Sequence, residues 1–348
     1  MKKRLIIILS ISLIVAAATI ISVIAAISSS DDDSSNNGSA SNAGDASGNN
    51  GSGVSNGNGN SGGSGNSDNP VNTPSRKDSV GLDFVSIDDD TCYVYGVGTC
   101  TDADIVVPAK SPDGKTVVYI QEFAFSGCEF LTSITLPDTV TTIQGRAFLQ
   151  CPNLTKVDIG NGVKKIGSYA FYQCEKLTEV KLGNSLEVIE DHAFYRCTFL
   201  SKIDIPDSTK SIGDYAFTHC TFLTSLSIGN GVSSIGYEAF GTCTYLSSVT
   251  LGNSVETISA CAFHRCESLT SITIPASVTA IEINAFSLSG LSSVGFENPE
   301  GWMRSSNQSG TSAAEIPSSE LAIPATAAKY LASDYKMQYW FNNLKQVK

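Results

Sequence analysis

Three histidines and ten cysteines are the side chains of this 348-residue sequence best suited to bind a metal or to transfer a proton. His192, His219 and His264 fall at three different positions of the 23-residue repeat described below, so stacked repeats would not bring them together. Metal and acid–base sites need such groups to converge on one point. The histidines therefore predict no metal site, no cofactor and no catalytic centre.

Two short polar motifs also resemble ligand-binding loops. Asp113-Gly-Lys-Thr116 resembles the end of a phosphate-binding loop, but Ala109 stands where the first glycine of that loop is required. We therefore interpret it as an Asp-Gly turn. The run Asp88–Asp90 fits either a calcium contact or a solvated loop. Carboxylates repeated at an acid–base spacing are absent, so the sequence predicts a protein that is not an enzyme.

Seven cysteines recur at a single repeat position, which raises the question of disulfide bonding. They are Cys128, Cys151, Cys174, Cys197, Cys220, Cys243 and Cys266. Stacked coils would place neighbouring cysteines within the Cα separation of about 4.4–6.8 Å that a disulfide needs. Cysteine is also among the most buried residue types. The column is therefore either bridged or a row of free core thiols, and Cys92 with Cys100 forms a further possible bridge.

The elements that position these residues come from a repeat of 23 residues. Seven copies run without insertion from Ala124 to Asn284, and an eighth begins at Ala285. In each copy Ala-Phe-x-x-Cys-x-x-Leu has the spacing of one helix face, and the following Ile-x-Ile run alternates as a strand does. One copy cannot cover its own apolar side chains, whereas stacked copies can. The sequence predicts an α/β repeat solenoid with a stacked parallel sheet and short helical turns on its other side.

These copies resemble the leucine-rich repeats of the BspA-like family, whose unit has the form AFxxCxxLTSIxIPxSVTxIG. The resemblance extends over about residues 80–302 and agrees in length, register and residue type. It implies the right-handed coil of leucine-rich repeats. Members of the family are mostly bacterial surface proteins, so the resemblance also implies adhesion to host extracellular proteins. The family has no fixed ligand, and no ligand identity follows.

The flanking segments divide the rest of the chain. Residues 1–27 begin with Lys2-Lys3-Arg4 and continue as an apolar run, which predicts either an uncleaved membrane anchor or a cleaved signal peptide. Residues 28–79, rich in Ser, Asn and Gly, predict a disordered linker. Residues 80–123 predict an irregular N-terminal cap coil, 124–303 the repeats, and 304–348 a linker and a helix. The helix is predicted over 324–347, with its aromatic residues docked on the repeats.

Two exposed surfaces of the predicted solenoid are candidates for binding a protein. Charged residues occupy exposed strand positions: Lys156, Asp158, Glu179, Lys181, Lys202 and Asp204. Aromatic residues form an outward stripe on the helical turns of the middle coils: Tyr169, Tyr172, Tyr195, Phe199, Tyr215, Phe222 and Tyr245. The first set is equally consistent with an ordinary solvated sheet face, and the second with packing between neighbouring coils.

Composition narrows the class of function. Charged residues make up 16% of the chain, the net charge is −12, and no basic patch is present, so nucleic acid is a poor candidate partner. We predict a cell-surface or extracellular module that binds a host or extracellular-matrix protein and meets the membrane through its N-terminal segment. The alternative is a structural spacer or a self-associating surface-layer protein without a dedicated ligand.

Overall fold

The structure is a computed structural model that describes residues 77–310 and 313–342. The predicted membrane segment lies outside these residues, as does the predicted linker except for its last three positions. Among the described residues, no helix has the length and apolar character needed to cross a bilayer.

The described chain coils into a solenoid of stacked parallel strands with about nine turns, which confirms the predicted fold. We number the coils from 1, beginning at Ala124, to 8, beginning at Ala285, after a cap coil that precedes Ala124. Its strands are Asp83–Ser86 (β1), Thr91–Gly96 (β2), Asp104–Val106 (β3), Thr116–Ile120 (β4), Ser133–Thr135 (β5), Thr142–Ile143 (β6), Lys156–Asp158 (β7), Lys165–Ile166 (β8), Glu179–Lys181 (β9), Val188–Ile189 (β10), Lys202–Ile205 (β11), Ser211–Ile212 (β12), Ser225–Ile228 (β13), Ser234–Ile235 (β14), Ser248–Thr250 (β15), Thr257–Ile258 (β16), Ser271–Ile274 (β17), Ala280–Ile281 (β18), Ser293–Phe296 (β19), Trp302–Ser305 (β20), Ala314–Glu315 (β21) and Tyr339–Asn342 (β22).

One phenylalanine from each coil forms an unbroken stack through the core. Adjacent ring centroids lie 4.9 to 5.5 Å apart from Phe125 to Phe286, and the rings are nearly parallel. Each ring is at most 1% exposed. At about 1.5–3 kcal/mol for a fully buried large apolar side chain, this stack and the Leu and Ile columns beside it hold neighbouring coils together.

The helical turns contribute less than predicted, because the Ala-Phe-x-x-Cys segment is a series of turns. The residue before each Ala-Phe pair and the residue two after it have positive φ, as in Tyr169 (60°) and Gln173 (55°). Left-handed residues cannot continue a right-handed helix. Here they direct N–H groups along the solenoid axis: Phe171 N–H donates to the Ala193 carbonyl at 2.7 Å and Gln173 N–H to the Tyr195 carbonyl at 2.8 Å. Coil-to-coil hydrogen bonds thus replace intrahelical ones.

The longest sheet comes from a segment that the sequence analysis treated only as an extended return. The two-residue strands β6, β8, β10, β12, β14, β16 and β18 pair in parallel within a sheet of 13 strands. We call it the continuous sheet. β1 adds to its N-terminal end as an antiparallel strand, and β22, β20 and β21 complete its C-terminal end.

The strands built from the Ile-x-Ile runs form the opposite side, which we call the split sheet, and they fall into three separate groups. β3, β5, β7 and β9 pair with one another, as do β11, β13 and β15, and finally β17 and β19. Within the described residues, no backbone hydrogen bond joins β9 to β11 or β15 to β17. We call these two breaks the first seam and the second seam.

The seams follow a three-coil period in the turn after each split-sheet strand. That turn begins Pro-Asp-Thr, Gly-Asn-Gly and Gly-Asn-Ser in coils 1 to 3, Pro-Asp-Ser, Gly-Asn-Gly and Gly-Asn-Ser in coils 4 to 6, and Pro-Ala-Ser in coil 7. A Cβ added at Gly183 or Gly252 would overlap a carbonyl oxygen of the preceding coil, so glycine permits a close approach of the turns. The rings of Pro206 and Pro275 cannot enter that space, and a seam precedes each of them.

Pro137, the other proline at this position, faces the longer turn of the cap coil. β3 and β5 accordingly stay paired. The seam therefore requires both a proline and a short glycine turn in the coil before it.

The C-terminal segment is helical over a shorter range than predicted. Helices span Ser318–Leu321 (α1) and Pro324–Lys329 (α2), and α2 continues as a π turn over Tyr330–Asp334. The predicted helix over 324–347 is wrong for residues 339–342, which form β22. These residues include aromatic strand formers, and they cover the edge that β18 would otherwise leave unpaired. The predicted docking is confirmed for Trp340, which lies opposite Ile281 and is 2% exposed.

All ten cysteines are free thiols, including Cys92 and Cys100, so neither predicted bridge is formed. In the repeated column six thiols donate to the phenylalanine carbonyl of the preceding coil, with distances of 3.0 to 3.3 Å. Cysteine is therefore a small apolar residue that also satisfies a buried acceptor. Burial raises the pKa of Cys243 to about 12, and it also raises that of the less buried Cys261.

We predict that native protein at pH 8 reacts slowly with a thiol reagent, because buried thiols stay protonated and only thiolates react. Non-reducing denaturation should release at least the seven column thiols in a colorimetric thiol count. A count of three or fewer in the denatured protein would show that the column is bridged.

We also predict that Pro206→Gly closes the first seam, because glycine lets the turn of coil 4 approach Gly183. The backbone amides of Val180 and Leu182 should then exchange more slowly in hydrogen–deuterium exchange. Pro275→Gly is the matched control, since it should slow exchange only at the second seam. Unchanged exchange at Val180 in Pro206→Gly would rule out the proline as the cause.

Candidate protein-binding site

The charged candidates of the split sheet are brought together as three ion pairs. Lys156 contacts Glu179 in the next coil, Lys181 contacts Asp158 in the preceding coil, and Lys202 contacts Asp204 on its own strand; each N–O distance is 2.8 Å. The six charges sum to zero. The split sheet therefore presents paired charges on coils 2 to 4, and it has no patch of one sign there.

These pairs are weak in energy because water surrounds them. The Lys156 and Glu179 side chains are each 60% exposed. The hydrogen bond from Lys181 to Asp158 raises the pKa of Lys181, which keeps that lysine charged. Exposed pairs contribute about 0–1 kcal/mol each. The pairs fix side-chain positions across neighbouring coils without adding much to stability.

The aromatic candidates separate into two rows. The inner row contains Tyr169, Tyr172, Tyr195 and Tyr215, all half-buried. His192 lies between two of its rings, with centroid distances of 4.6 Å to Tyr169 and 4.7 Å to Tyr215. Tyr172 and Tyr195 stack at 5.0 Å. For this row the coil-packing interpretation holds, because each ring is partly covered by the ring of a neighbouring coil.

The outer row contains Phe199, Phe222 and Tyr245, one from each of coils 4 to 6. The rings stack at 5.1 and 5.2 Å with interplanar angles of 6°. Their exposed fractions are 48%, 41% and 53%. Backbone bonds between coils fix their spacing, since Phe222 N–H donates to the Thr198 carbonyl at 3.0 Å. The outer row is a rigid apolar ridge in contact with solvent.

The split into two rows has a local backbone cause. A helix would align repeat positions 23, 3 and 7 as a single stripe, but left-handed residues at positions 23 and 4 break that alignment. Sequence reasoning also missed contributors beside the rows. The Arg146 guanidinium lies 5.3 Å from the centre of the Tyr169 ring, and Tyr237 meets Tyr215 edge-on at 5.1 Å. The repeat position would have identified Arg146, whereas Tyr237 lies one position off the stripe.

The chemistry-bearing motifs stay apart or form turns. Among the described residues, no three His, Cys, Asp or Glu side chains gather into a potential metal site. Burial lowers the pKa of His192, and its Nδ1 has no protein hydrogen-bond partner within the described residues. The Asp88 carboxylate accepts hydrogen bonds from the N–H groups of Asp90 and Thr91, which closes its own loop.

Comparisons with known proteins agree with this geometry. The model of the BspA type leucine rich repeat region matches residues 110–223 and 210–316, with six copies. A leucine-rich repeat protein from Bacteroides ovatus is similar in structure, with 27% identity, a TM-score of 0.54, and coverage of 60% of this chain and 56% of that chain. The present chain thus spans little more than half of that protein.

Two further structures match with lower scores. A leucine rich cell surface protein from Faecalibacterium prausnitzii is 26% identical with a TM-score of 0.43, covering 62% of this chain and 75% of that one. The T. pallidum leucine rich repeat protein has the same identity and TM-score, covering 62% and 83%. No curated protein matches the sequence.

Proposed function

The chain belongs to the BspA-type leucine-rich repeat family, and from this premise we propose that it is a surface-displayed adhesin-like module that binds a host or extracellular-matrix protein without catalysis. Proteins of this family are typically bacterial surface proteins, and a leucine-rich repeat solenoid is typically a binding scaffold. The proposal adds a particular surface and a particular class of ligand.

The observation that carries the proposal is the outer aromatic row. Phe199, Phe222 and Tyr245 expose large apolar side chains on three successive coils. Exposed aromatic residues that are already ordered lose little conformational freedom on binding, and they are enriched among residues that dominate interface energies. The stacking that orders the row in the free protein therefore prepares it for a partner.

The geometry of the row favours a protein ligand over a sugar. Because the rings stack face to face along the solenoid, neighbouring rings cover most ring faces and the edges point outward. Ring edges carry partial positive charge and suit carbonyl and carboxylate oxygens of a protein. Stacking on a sugar ring would need an open aromatic face.

The charged split sheet plays the secondary part in this proposal. Lys156, Lys181 and Lys202 are each already paired with a carboxylate, so a ligand group would have to replace an existing contact. Such exchanges alter specificity and association rate more than affinity. The inner aromatic row supports the outer one by packing.

We place the module at the cell surface, joined to the membrane or secreted through residues 1–27 and carried on the linker that follows. A linker of about 50 Ser, Asn and Gly residues has a root-mean-square reach of roughly 40 Å. The apolar N-terminal run and the family's typical location support this placement.

We predict that Phe199→Ser with Phe222→Ser and Tyr245→Ser weakens binding of the full chain to a matrix protein by at least about 30-fold, since a hot-spot residue contributes about 2 kcal/mol or more. Surface plasmon resonance against a panel of immobilised extracellular-matrix proteins would measure this. The matched variant is Lys156→Ser with Lys181→Ser and Lys202→Ser, which should change affinity only a few-fold.

Circular dichroism should show both triple variants folded. Loss of binding in the lysine variant alone would move the site to the split sheet. If no matrix protein binds and the mass of the chain rises with concentration in sedimentation, a self-associating surface-layer protein is the better description.

A further inference from the structure

The first seam leaves two facing strand edges without backbone partners. β9 pairs with β7 on one side, and β11 pairs with β13 on the other, both in parallel. No backbone hydrogen bond crosses from β9 to β11 within the described residues. The core on either side is nevertheless intact, because Phe171 and Phe194 stack at 5.0 Å and β10 pairs with β12. The opening is therefore confined to the split sheet.

The register shows which groups face the seam. Glu179 N–H donates to the Thr155 carbonyl and the Lys181 carbonyl accepts from Ile159, so these two residues face β7. Alternate residues of a strand point their N–H and C=O groups to opposite edges. The groups of Val180 and Leu182 therefore point across the seam, and those of Lys202 and Asp204 point back. Unpaired backbone groups at a strand edge are a template for another strand.

The seam also exposes apolar side chains that other coils bury. Val180 and Leu182 are half-buried, whereas Val157 and Ile159, their equivalents one coil earlier, are 2% and 0% exposed. A depression of about 560 Å³ lies between β9 and β11 and includes Val180, Leu182 and Lys202 in its lining. This volume is within the range of about 300–1,000 Å³ that ligand sites show. Donors, acceptors and apolar surface thus coincide in one place.

We propose that the first seam binds an extended segment of the protein ligand, which pairs as an added strand with the open edge of β9. This inference rests on the proposed function and specifies how part of the partner docks. Strand addition draws affinity from main-chain hydrogen bonds and specificity from alternate side chains. The charges that line the depression, on Glu179, Lys181, Lys202 and Asp204, sum to zero. The segment is therefore uncharged, with apolar residues at alternate positions that cover Val180 and Leu182.

The second seam offers an internal comparison. It has the same three-coil origin and the same missing pairing, between β15 and β17. It is more closed toward the core, since Leu251 is only 7% exposed where its equivalent Leu182 is half-buried. We therefore assign peptide binding to the first seam alone, and substitutions at the second seam serve as matched controls.

The test uses the full chain and a fluorescein-labelled peptide with the sequence of residues 223–229, LTSLSIG, followed by fluorescence anisotropy. This peptide has the alternating pattern of the chain's own strands, and in the fold it pairs with the other edge of β11. A second peptide carries N-methyl groups at alternate residues, which removes half of its backbone donors. Only the unmodified peptide should bind saturably.

The decisive variant is Val180→Pro, which removes the seam-facing N–H. Proline is tolerated at strand edges whose N–H group has no partner strand, so the fold should survive. Affinity for the peptide should fall by about tenfold or more, since two net hydrogen bonds and their neighbours are lost. Val249→Pro, at the same position of the second seam, should bind normally, as should Val180→Thr, which keeps the N–H. Pro206→Gly provides a second route, because closing the seam should also abolish binding.

The outcomes separate this inference from the proposed function. Failure of the unmodified peptide to bind, equal binding by Val180→Pro and Val249→Pro, or equal binding of the N-methylated peptide overturns the seam assignment. If Val180→Pro unfolds, Pro206→Gly decides the question, and retained peptide binding in that variant overturns the assignment as well. A chain that rejects the peptide yet binds a matrix protein retains the proposed function.

Discussion

The spacing of about 5 Å from one coil to the next is the constraint on which the whole structure depends. Stacked phenylalanine rings, parallel strands and the axial hydrogen bonds of the turns all repeat at this distance, and each one requires the others. The left-handed residues at two positions of every coil are strained for side chains other than glycine. They persist because they align N–H groups with the next coil, where a helical turn would have aligned them with its own.

The same constraint explains where surface features arise. Where glycine occupies the start of the turn, neighbouring coils approach closely along their full perimeter. Where proline replaces it, as at Pro206, one side of the perimeter opens while the core and the continuous sheet remain closed. The outer aromatic row and the first seam both lie on the middle coils, so a single ligand has two distinct kinds of contact available near the centre of the repeats: rigid apolar rings on the turns and open backbone groups on the split sheet.

Much of this architecture could be predicted from the 23-residue period, because a column of identical residues specifies its own burial. The phenylalanine, leucine and cysteine columns all lie where their periodicity places them. The helical turn was harder, since positions 1, 5 and 8 have helix spacing whether or not the backbone is helical. Strands of two residues, such as β10, are too short to show alternation. β22 depends on an edge that exists only after eight coils have stacked.

The candidate site was predictable in composition and less so in arrangement. The aromatic residues were identified correctly as residues of the turns, but only the folded turn shows that Tyr195 packs inward while Phe199 stands in solvent. The seams were visible in the sequence as a 69-residue period of Pro, Gly and Gly turns. That signal is carried by one residue in 23, and it has no meaning until the close approach at Gly183 is known.

The three-coil period also bears on how such a chain can change in length during evolution. The caps contact only the terminal coils, and each internal coil meets only its two neighbours. Duplication or loss of 69 residues would keep every proline behind a glycine turn, so the seams would recur at the same interval and the chain would lengthen or shorten by whole blocks. Duplication of 23 residues would preserve the core equally well, yet it would change the interval between seams. Selection acting on coil number alone would not distinguish these two events, whereas selection acting on the openings would.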